Sequence, residues 1–317
     1  MNTILLILLA LLVGSSVQDV AETEPTPRFE LVVLGCAQDG GLPHVGCNRA
    51  CCVIARRTGR VETPACLGVI DHRDGRLMLI EATPAIDTQL ALLQELSGQT
   101  DRGRAPVDAV LLTHAHIGHY LGLAHFGREV ASTKATPVHL SPRFAEYLRA
   151  NGPWSQLVEL EQIELRPFEP GSRFEPLPGL EVEAVPVPHR DEFSDTMAYK
   201  IHGPNRTVLF VPDIDRWDSD TVGPDFIDSL FSGVDIAYVD ATFYDGRELP
   251  GRNLKLIPHP PIVDSMERFA ERVEGRPGAI RFIHLNHTNP ALHEPAIIEK
   301  IEARGFRVAK TGERIEL

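Results

Sequence analysis

The stretch Thr113–His119 reads THAHIGH and directly follows the apolar run Val110–Leu112. Such a run is typical of a buried strand, so the histidines are predicted to lie in the turn where that strand leads into a helix. His114 and His116 are two positions apart and point to the same side of an extended backbone, while His119 comes after the turn. Imidazole nitrogens are preferred ligands of zinc and iron, and three of them at this spacing predict a metal site.

Three more candidate ligands come just after later apolar runs: His189, Asp213 and His284. A metal needs ligands that converge from several rigid elements, so these three are predicted to complete the site. The predicted metal ligands are therefore His114, His116, His119, His189, Asp213 and His284. The residues predicted to contact these ligands or a substrate are His287, Asp240, Tyr244 and Arg190.

The composition favours a domain that acts on a small molecule. Of the 317 residues, 43% are hydrophobic and 24% are charged, which is ordinary for a globular protein with a large core. The formal net charge of −13 repels phosphate backbones and therefore argues against nucleic-acid binding. A small-molecule substrate is expected instead, and the sequence leaves the oligomeric state open.

The N-terminus has the pattern of an export signal. Ile4–Val13 is an unbroken apolar run, and small residues follow it at 14–16. This run is shorter than the ~20 apolar residues that span a bilayer, so residues 1–18 are predicted to be a signal peptide for export to the periplasm or outside the cell. An uncleaved membrane anchor is the alternative. Residues 19–27 are predicted to be a flexible lead into a domain over residues 28–317.

Five cysteines are present, and three of them lie close together with a histidine. His44, Cys47, Cys51 and Cys52 offer thiolates and an imidazole at short spacing. A structural metal, a disulfide and buried free thiols are all compatible with this pattern. An odd number of cysteines leaves at least one unpaired.

The rest of the chain alternates apolar strands with helices. Asp74-Gly75 predicts a tight turn between two strands, and Thr83-Pro84 predicts an N-cap and first residue of a helix. Many strands with helices between and after them favour two sheets packed face to face with helices outside. The fold class is therefore predicted to be α/β, of the α+β type.

The order of the motifs resembles that of the metallo-β-lactamase fold superfamily. A T-H-A-H-x-x-H motif is followed by a later histidine, an aspartate and a last histidine, and the resemblance covers the chain from Phe29 onward. The branch that it resembles most contains the coenzyme pyrroloquinoline-quinone (PQQ) biosynthesis protein B and related phosphodiesterases. Segments similar to that branch are Leu34–Pro43, Leu79–Pro84, Asp240–Phe243 and His284–Pro290.

The resemblance implies a four-layer αββα sandwich with metals at one edge of the two sheets. One metal would be held by His114, His116 and His189. The other would be held by His119 and His284, with Asp213 bridging the two metals. Zinc is the expected ion, one or two per chain, with iron or manganese as alternatives. A metal-activated hydroxide positioned by Asp213 and His119 would then attack a phosphoryl or acyl centre.

Gly118 departs from the superfamily pattern, because it replaces the usual aspartate of the second metal position. The loss of that carboxylate predicts that the second metal binds more weakly or is absent, with Asp213 as the carboxylate donor, alone or together with Asp195 or Asp240 nearby. The leading hypothesis is a metal-dependent hydrolase acting on a small phosphodiester or ester. The alternatives are an iron oxidoreductase like the PQQ biosynthesis protein, and a non-catalytic metal-binding protein with a degraded second site.

Overall fold

The structure is a computed structural model that describes residues 27–217, 223–252 and 257–317. The predicted signal peptide (residues 1–18) and the predicted flexible lead, except for its last residue, lie outside the described residues. The first strand begins at Phe29, next to the predicted start of the domain at residue 28.

Two seven-stranded sheets form the centre of the described structure. The first has the order β14-β1-β2-β3-β4-β5-β6 and the second has the order β13-β12-β11-β10-β9-β8-β7. The strands of the first sheet are β1 (Phe29–Gly35), β2 (Cys66–Asp71), β3 (Arg76–Ile80), β4 (Ala109–Leu111), β5 (Thr136–Leu140), β6 (Ile163–Pro167) and β14 (Arg314–Glu316). The strands of the second sheet are β7 (Arg173–Leu177), β8 (Leu180–Pro186), β9 (Met197–His202), β10 (Thr207–Val211), β11 (Ile236–Asp240), β12 (Ile280–Ile283) and β13 (Arg307–Val308).

Helices lie between the strands along the chain. They are α1 (Ala50–Thr58), α2 (Ile86–Ser97), α3 (Ile117–Tyr120), α4 (Pro142–Ala150), α5 (Trp154–Glu159), α6 (Phe226–Phe231), α7 (Ile262–Arg268), α8 (Ala270–Val273) and α9 (Pro295–Ala303). Short 3-10 helices follow at Leu121–Phe126 and Pro290–Leu292. Among the described residues, no helix has both the length and the apolar character needed to cross a bilayer.

Strand β1 shows why both faces of the first sheet are buried. Leu31 and Val33 pack into the core that includes residues of both sheets, while Val32 and Leu34 pack against α2 and other helices on the opposite side. Successive side chains of a strand point to opposite faces, so an unbroken apolar strand needs a cover on each face. This arrangement confirms the predicted αββα sandwich.

The two sequence predictions about local turns have different outcomes. The predicted turn at Asp74-Gly75 joins β2 and β3, which pair antiparallel. The predicted helix start is wrong by two residues, because α2 begins at Ile86. The Thr83 hydroxyl accepts a hydrogen bond from the Ala85 backbone N–H at 3.1 Å, so Thr83 forms a turn just before the helix.

The topology brings the chemically informative loops to one edge. Strands β8, β10 and β12 run in the same direction, because β8 and β10 are both antiparallel to β9 and β12 is parallel to β11 and β10. The segments after these strands carry His189, Asp213 and His284. The first sheet reaches this edge through β4, where the Thr113 carbonyl accepts a 3.1 Å hydrogen bond from the Met197 backbone N–H.

Candidate metal centre

Three predicted ligands, His114, His116 and His189, meet in what is called here the first cluster. His114 Nε2 lies 2.9 Å from His116 Nδ1, and His189 Nε2 lies 3.2 Å from the same Nδ1 atom. One nitrogen from each ring therefore points to a common place, and all three lie within 4.8 Å of one another. This is the geometry of a three-imidazole metal site with room for further ligands.

A second cluster consists of His119, His284 and Asp39. Asp39 Oδ1 lies 3.2 Å from His119 Nε2 and 3.6 Å from His284 Nε2. His119 is held by α3, and His284 follows β12 with a positive φ of 63°, a conformation in which a non-glycine residue is strained. Asp39 was absent from the predicted set.

Asp213 lies between the two clusters. Its Oδ2 atom is 2.8 Å from His119 Nε2, 3.4 Å from His284 Nε2 and 3.6 Å from His114 Nε2. Its Oδ1 atom is 3.9 Å from His189 Nε2. One carboxylate therefore reaches ligands of both clusters, as the bridging role requires.

The inward-facing atoms are buried without hydrogen-bond partners among the described residues. They are Asp39 Oδ1, His119 Nε2, His284 Nε2 and both carboxylate oxygens of Asp213. Buried polar atoms are normally hydrogen-bonded, and leaving several of them unsatisfied at one place is costly. A set of imidazole nitrogens and carboxylate oxygens fits a divalent transition metal such as zinc, iron or manganese, so the residues present fit a metal cofactor.

Glu81 orients ligands of both clusters from behind. His119 Nδ1 donates to Glu81 Oε1 at 3.2 Å, and the Thr113 hydroxyl donates to the same oxygen. The Thr113 hydroxyl in turn accepts from His114 Nδ1 at 2.8 Å. Glu81 is fully buried and has a positive φ of 79°, so its position is tightly specified. Such contacts fix the tautomer and the ring orientation of a ligand histidine.

The other ligand histidines also have polar partners on their outer nitrogens. His189 Nδ1 donates to Asp215 Oδ1 and His116 Nε2 donates to Glu192 Oε2, each at 2.9 Å. His284 Nδ1 donates to the Thr242 hydroxyl at 3.0 Å, and that hydroxyl donates to Asp240. In each of these rings the outer nitrogen is engaged by a polar partner, and the nitrogen that faces the centre is the one available to bind a metal.

The charges of the two clusters differ. Burial raises the pKa of Asp213 and Asp39, but the neighbouring imidazoles of His284 and His119 outweigh burial and hold both pKa values below the usual range. Burial also lowers the pKa of His119, yet Glu81 and Asp213 raise it well above its usual value. In the first cluster, burial and the nearby imidazoles lower the pKa of His114. The second cluster thus holds the negative charge that a cation would neutralise.

His259 faces the centre from the loop before α7. Its Nδ1 atom is 2.7 Å from Asp240 Oδ2 and 3.3 Å from Asp213 Oδ1. Burial opposes protonation of this imidazole, but the carboxylates of Asp240 and Asp213 raise its pKa to about 9. A cavity of about 590 Å³ opens beside it, and residues that line this cavity are Asp215, Trp217, His259, Asp264 and Arg268.

The remaining predicted residues are placed at different distances from the centre. Asp240 contacts His259 and Thr242, so it supports the second cluster from outside. Arg190 is exposed near Glu192, and Tyr244 is buried with its backbone N–H donating to Glu248. Asp195, a possible replacement for the missing carboxylate, instead accepts a hydrogen bond from the Ser141 hydroxyl.

His287 belongs to a separate group of thiols, called here the cysteine cluster. Cys47, Cys52 and His287 place one ligand atom each within 4.8 Å of one another, and the His44 ring stacks on His287 with centroids 4.4 Å apart. All five cysteines of the chain are free thiols, and the Cys51 and Cys52 sulfurs are 4.0 Å apart. Of the alternatives that the sequence leaves open for His44, Cys47, Cys51 and Cys52, a structural metal fits better than a disulfide, because His287 offers a ligand atom beside Cys47 and Cys52 and its Nδ1 atom is buried without a partner among the described residues.

Two kinds of sequence comparison give related matches. A family model described as β-lactamase superfamily domain matches residues 76–285. Coenzyme PQQ synthesis protein B of Methylobacterium sp. (strain 4-46) is 26% identical over 305 residues, which is 90% of this chain and 98% of that protein. The protein of the same name from Methylobacterium radiotolerans is 27% identical over 314 residues, with 91% of this chain and 100% of that protein covered.

Solved structures have the same fold at lower identity. The zinc-bound PqqB from Methylobacterium extorquens superimposes with a TM-score of 0.74 at 21% identity, covering 91% of this chain and 100% of that one. A diphosphatase from the PhnP family superimposes with a TM-score of 0.65 at 21% identity, covering 91% of this chain and 97% of that one. At this identity the likeness establishes the shared fold.

Proposed function

Because the chain belongs to the β-lactamase superfamily, we propose that it is a metal-dependent hydrolase that acts on a small phosphodiester or ester. The observation that carries the proposal is the position of Asp213, whose two oxygens are buried without hydrogen bonds between two clusters of ligand atoms. Metal ions bound there would supply Lewis-acid chemistry and activate water for attack. Zinc is the proposed ion, with iron or manganese compatible with the same ligands.

In this proposal, the residues of the chain bind and orient the reacting groups. Asp213 and His119, 2.8 Å apart, position the attacking water, since both face the space between the clusters. His259, on the side of the cavity with its Nδ1 atom 2.7 Å from Asp240, is the proposed proton donor to a leaving alkoxide. Arg190, exposed near the first cluster beside Glu192, is proposed to bind a substrate anion.

The substrate class is supported by two further observations. The cavity of about 590 Å³ matches the usual size of a small-molecule site, and the net charge of −13 disfavours a nucleic-acid substrate. The PhnP-family structure of the same fold is named a diphosphatase, which supports phosphoryl chemistry for this chain.

Turnover of a chromogenic phosphodiester by the metal-loaded protein tests the proposal. We expect hydrolysis of bis(p-nitrophenyl) phosphate that is lost on chelation, restored by zinc or manganese, and lost in His116→Ala. The control is Arg128→Ala, which removes an exposed arginine paired with Glu129 on the surface. Bound metal below one equivalent, together with unchanged activity in His116→Ala, would contradict the proposal.

A second candidate function rests on the relatives named coenzyme PQQ synthesis protein B, which cover at least 90% of this chain. Their names favour a role in cofactor synthesis, for which the centre would hold iron and act as an oxidoreductase. Iron in the protein purified without added metal, and oxygen consumption with a modified tyrosine substrate, would favour this candidate over the hydrolase. A non-catalytic metal-binding protein predicts metal binding without either reaction.

We also propose that the chain is exported through residues 1–18, as their pattern predicts. Expression of the full chain, followed by N-terminal sequencing of the periplasmic fraction, tests this proposal. A mature N-terminus near residue 19 would support it. An intact N-terminus in the membrane fraction would instead indicate an anchor.

A further inference from the structure

We infer that Asp39 is the carboxylate ligand of the second metal position and takes the place of the aspartate that Gly118 lacks. The inference deepens the proposed function and rests on it, because it concerns the same metal centre. It assigns a ligand that lies outside the histidine motif, in the loop after β1.

The space beside Gly118 is occupied by Asp39. A Cβ atom added to Gly118 would lie 2.0 Å from Asp39 Oδ1, 2.6 Å from its Cγ and 2.7 Å from its Cα. These distances are far below normal van der Waals contact, so a side chain at position 118 and the observed Asp39 exclude each other. The carboxylate of Asp39 therefore stands where a side chain at position 118 would begin.

The inner oxygen of Asp39 is aimed at the second cluster. Oδ1 lies 3.2 Å from His119 Nε2 and 3.6 Å from His284 Nε2, and it has no hydrogen-bond partner among the described residues. A carboxylate that served only to stabilise the loop would be expected to accept backbone or side-chain hydrogen bonds. Metal ligation explains the position of this oxygen.

The loop that carries Asp39 is anchored to the segment that carries His284. The Gln38 N–H donates to the Leu285 carbonyl and the Leu285 N–H donates to the Cys36 carbonyl, both at 2.8 Å. The Gln38 side chain accepts a 2.6 Å hydrogen bond from Asn286. These contacts with the two residues that follow His284 hold the loop of Asp39 against the segment of the ligand histidine, as a preorganised ligand requires.

Glycine closes the loop after Asp39. The Gly41 N–H donates to the Gln38 carbonyl at 2.8 Å, and Gly41 has a φ of +65°, which a residue with a side chain adopts only with strain. The resulting turn spans Asp39 and Gly40. Gly41 and Gly118 thus both favour the observed position of Asp39. Gly41 allows the turn that contains it, and Gly118 leaves space for its carboxylate.

A consequence is that the second position keeps its negative charge. Asp39 and Asp213 both face His119 and His284, so the cluster has two carboxylates despite Gly118. The second metal should then bind firmly, whereas a degraded site would bind it weakly or not at all.

The test is zinc binding by equilibrium dialysis of the full chain, measured as metal equivalents and affinity for wild type and three variants. In Asp39→Asn we expect the second equivalent to bind at least about 10-fold more weakly while the first is retained, since an amide lacks the charge of the carboxylate. In Gly118→Ala the new methyl group displaces Asp39, so the same loss is expected. The Asp39→Asn/Gly118→Ala double variant should be no worse than either single one, because both changes remove the same ligand.

Asp195→Asn is the matched control, because it makes the same chemical change at the other candidate carboxylate and should leave both equivalents unchanged. Any metal bound by the cysteine cluster is present in the wild type and in every variant, so it cancels when their metal equivalents are compared.

If Asp39→Asn binds two equivalents at the centre with wild-type affinity, the inference is wrong while the proposed function stands. A wild type with no metal at either cluster would overturn the proposed function, and one with metal at the first cluster only would overturn the inference. Far-UV circular dichroism and retention of the first equivalent separate loss of a ligand from misfolding.

Discussion

The first and second clusters of the candidate metal centre offer the same kinds of ligand atom to a metal but are built differently. His114 and His116 of the first cluster come from one motif, and its outer partners Glu192 and Asp215 have side chains that are 49% and 35% exposed. The second cluster takes its ligands from three separate segments, and its outer partner Glu81 is fully buried.

This difference shows how far a ligand set can be rearranged while the metal position is kept. Two of the three ligands of the first cluster, His114 and His116, depend on local spacing in the turn after β4, so a change in that turn would remove most of the cluster. The second cluster depends on tertiary contacts, and its carboxylate could therefore move from position 118 to Asp39 without loss of charge. We expect the first cluster to tolerate changes in its exposed partners and the second to be sensitive to its buried one.

The largest effect is expected from removing a ligand that belongs to one cluster only. His116→Ala should lose the first metal and His284→Ala the second, and each should lower kcat/KM by more than about 100-fold, because loss of an outer partner alone costs about 10- to 100-fold. Metal analysis and phosphodiester turnover of each variant check this. Loss of both metals in each variant would mean that the clusters are not separate positions.

A smaller effect is expected from Glu81→Gln, which keeps the size of the buried side chain but removes its charge. His119 Nδ1 would lose a carboxylate acceptor, so zinc affinity at the second cluster should fall about 10- to 100-fold. Titration with a zinc-buffered indicator checks the value. A change confined to the first cluster would contradict the role of Glu81.

The equivalent change at the first cluster, Glu192→Gln, should lower zinc affinity less than Glu81→Gln does. Glu192 contacts His116 at 2.9 Å, but its side chain is half exposed and solvent can replace it, so we expect an affinity change below about 10-fold. The same zinc titration compares it with Glu81→Gln. A larger loss of zinc affinity in Glu192→Gln than in Glu81→Gln would contradict the difference proposed between the clusters.

The smallest effect is expected from pH. A change of pH alters the stability of the fold that carries both clusters and so does not distinguish one cluster from the other. Burial, together with Arg166, lowers the pKa of His139 on β5 to about 4. The unfolded chain takes up a proton near pH 6.5 while the folded chain does not, so the stability contributed by neutral His139 is lost as pH falls from about 6.5 to about 4. At pH 5 the cost should be about 2 kcal/mol at most, since the side chain is partly exposed.

His139→Gln checks this, because it cannot titrate. Urea unfolding of the metal-free protein at pH 7 and pH 5 should show a smaller loss of stability in the variant than in the wild type. Equal losses would mean that other groups cause the acid sensitivity. The variant would also extend the pH range over which the two clusters can be compared in a folded protein.

The parts of the centre that could be predicted from sequence are those set by local patterns. Apolar runs predict the strands, and the strand ends predict His189, Asp213 and His284, because parallel strands end at a common edge. Asp39 and Glu81 were missed since their roles depend on contacts between distant segments. A signal for each is present, however: Asp39 is an acidic residue in a glycine-rich loop after a buried strand, and Glu81 directly follows the apolar end of β3.

Crystallographic localisation of the metals tests the central claim most directly. In crystals of the zinc-loaded protein, anomalous differences at the zinc edge should show two peaks at the centre, one beside His114, His116 and His189 and one beside His119 and His284. Asp39 Oδ1 should lie about 2.0–2.2 Å from the second peak. A single peak at the first cluster, or a second peak with Asp39 turned away from it, would contradict the account.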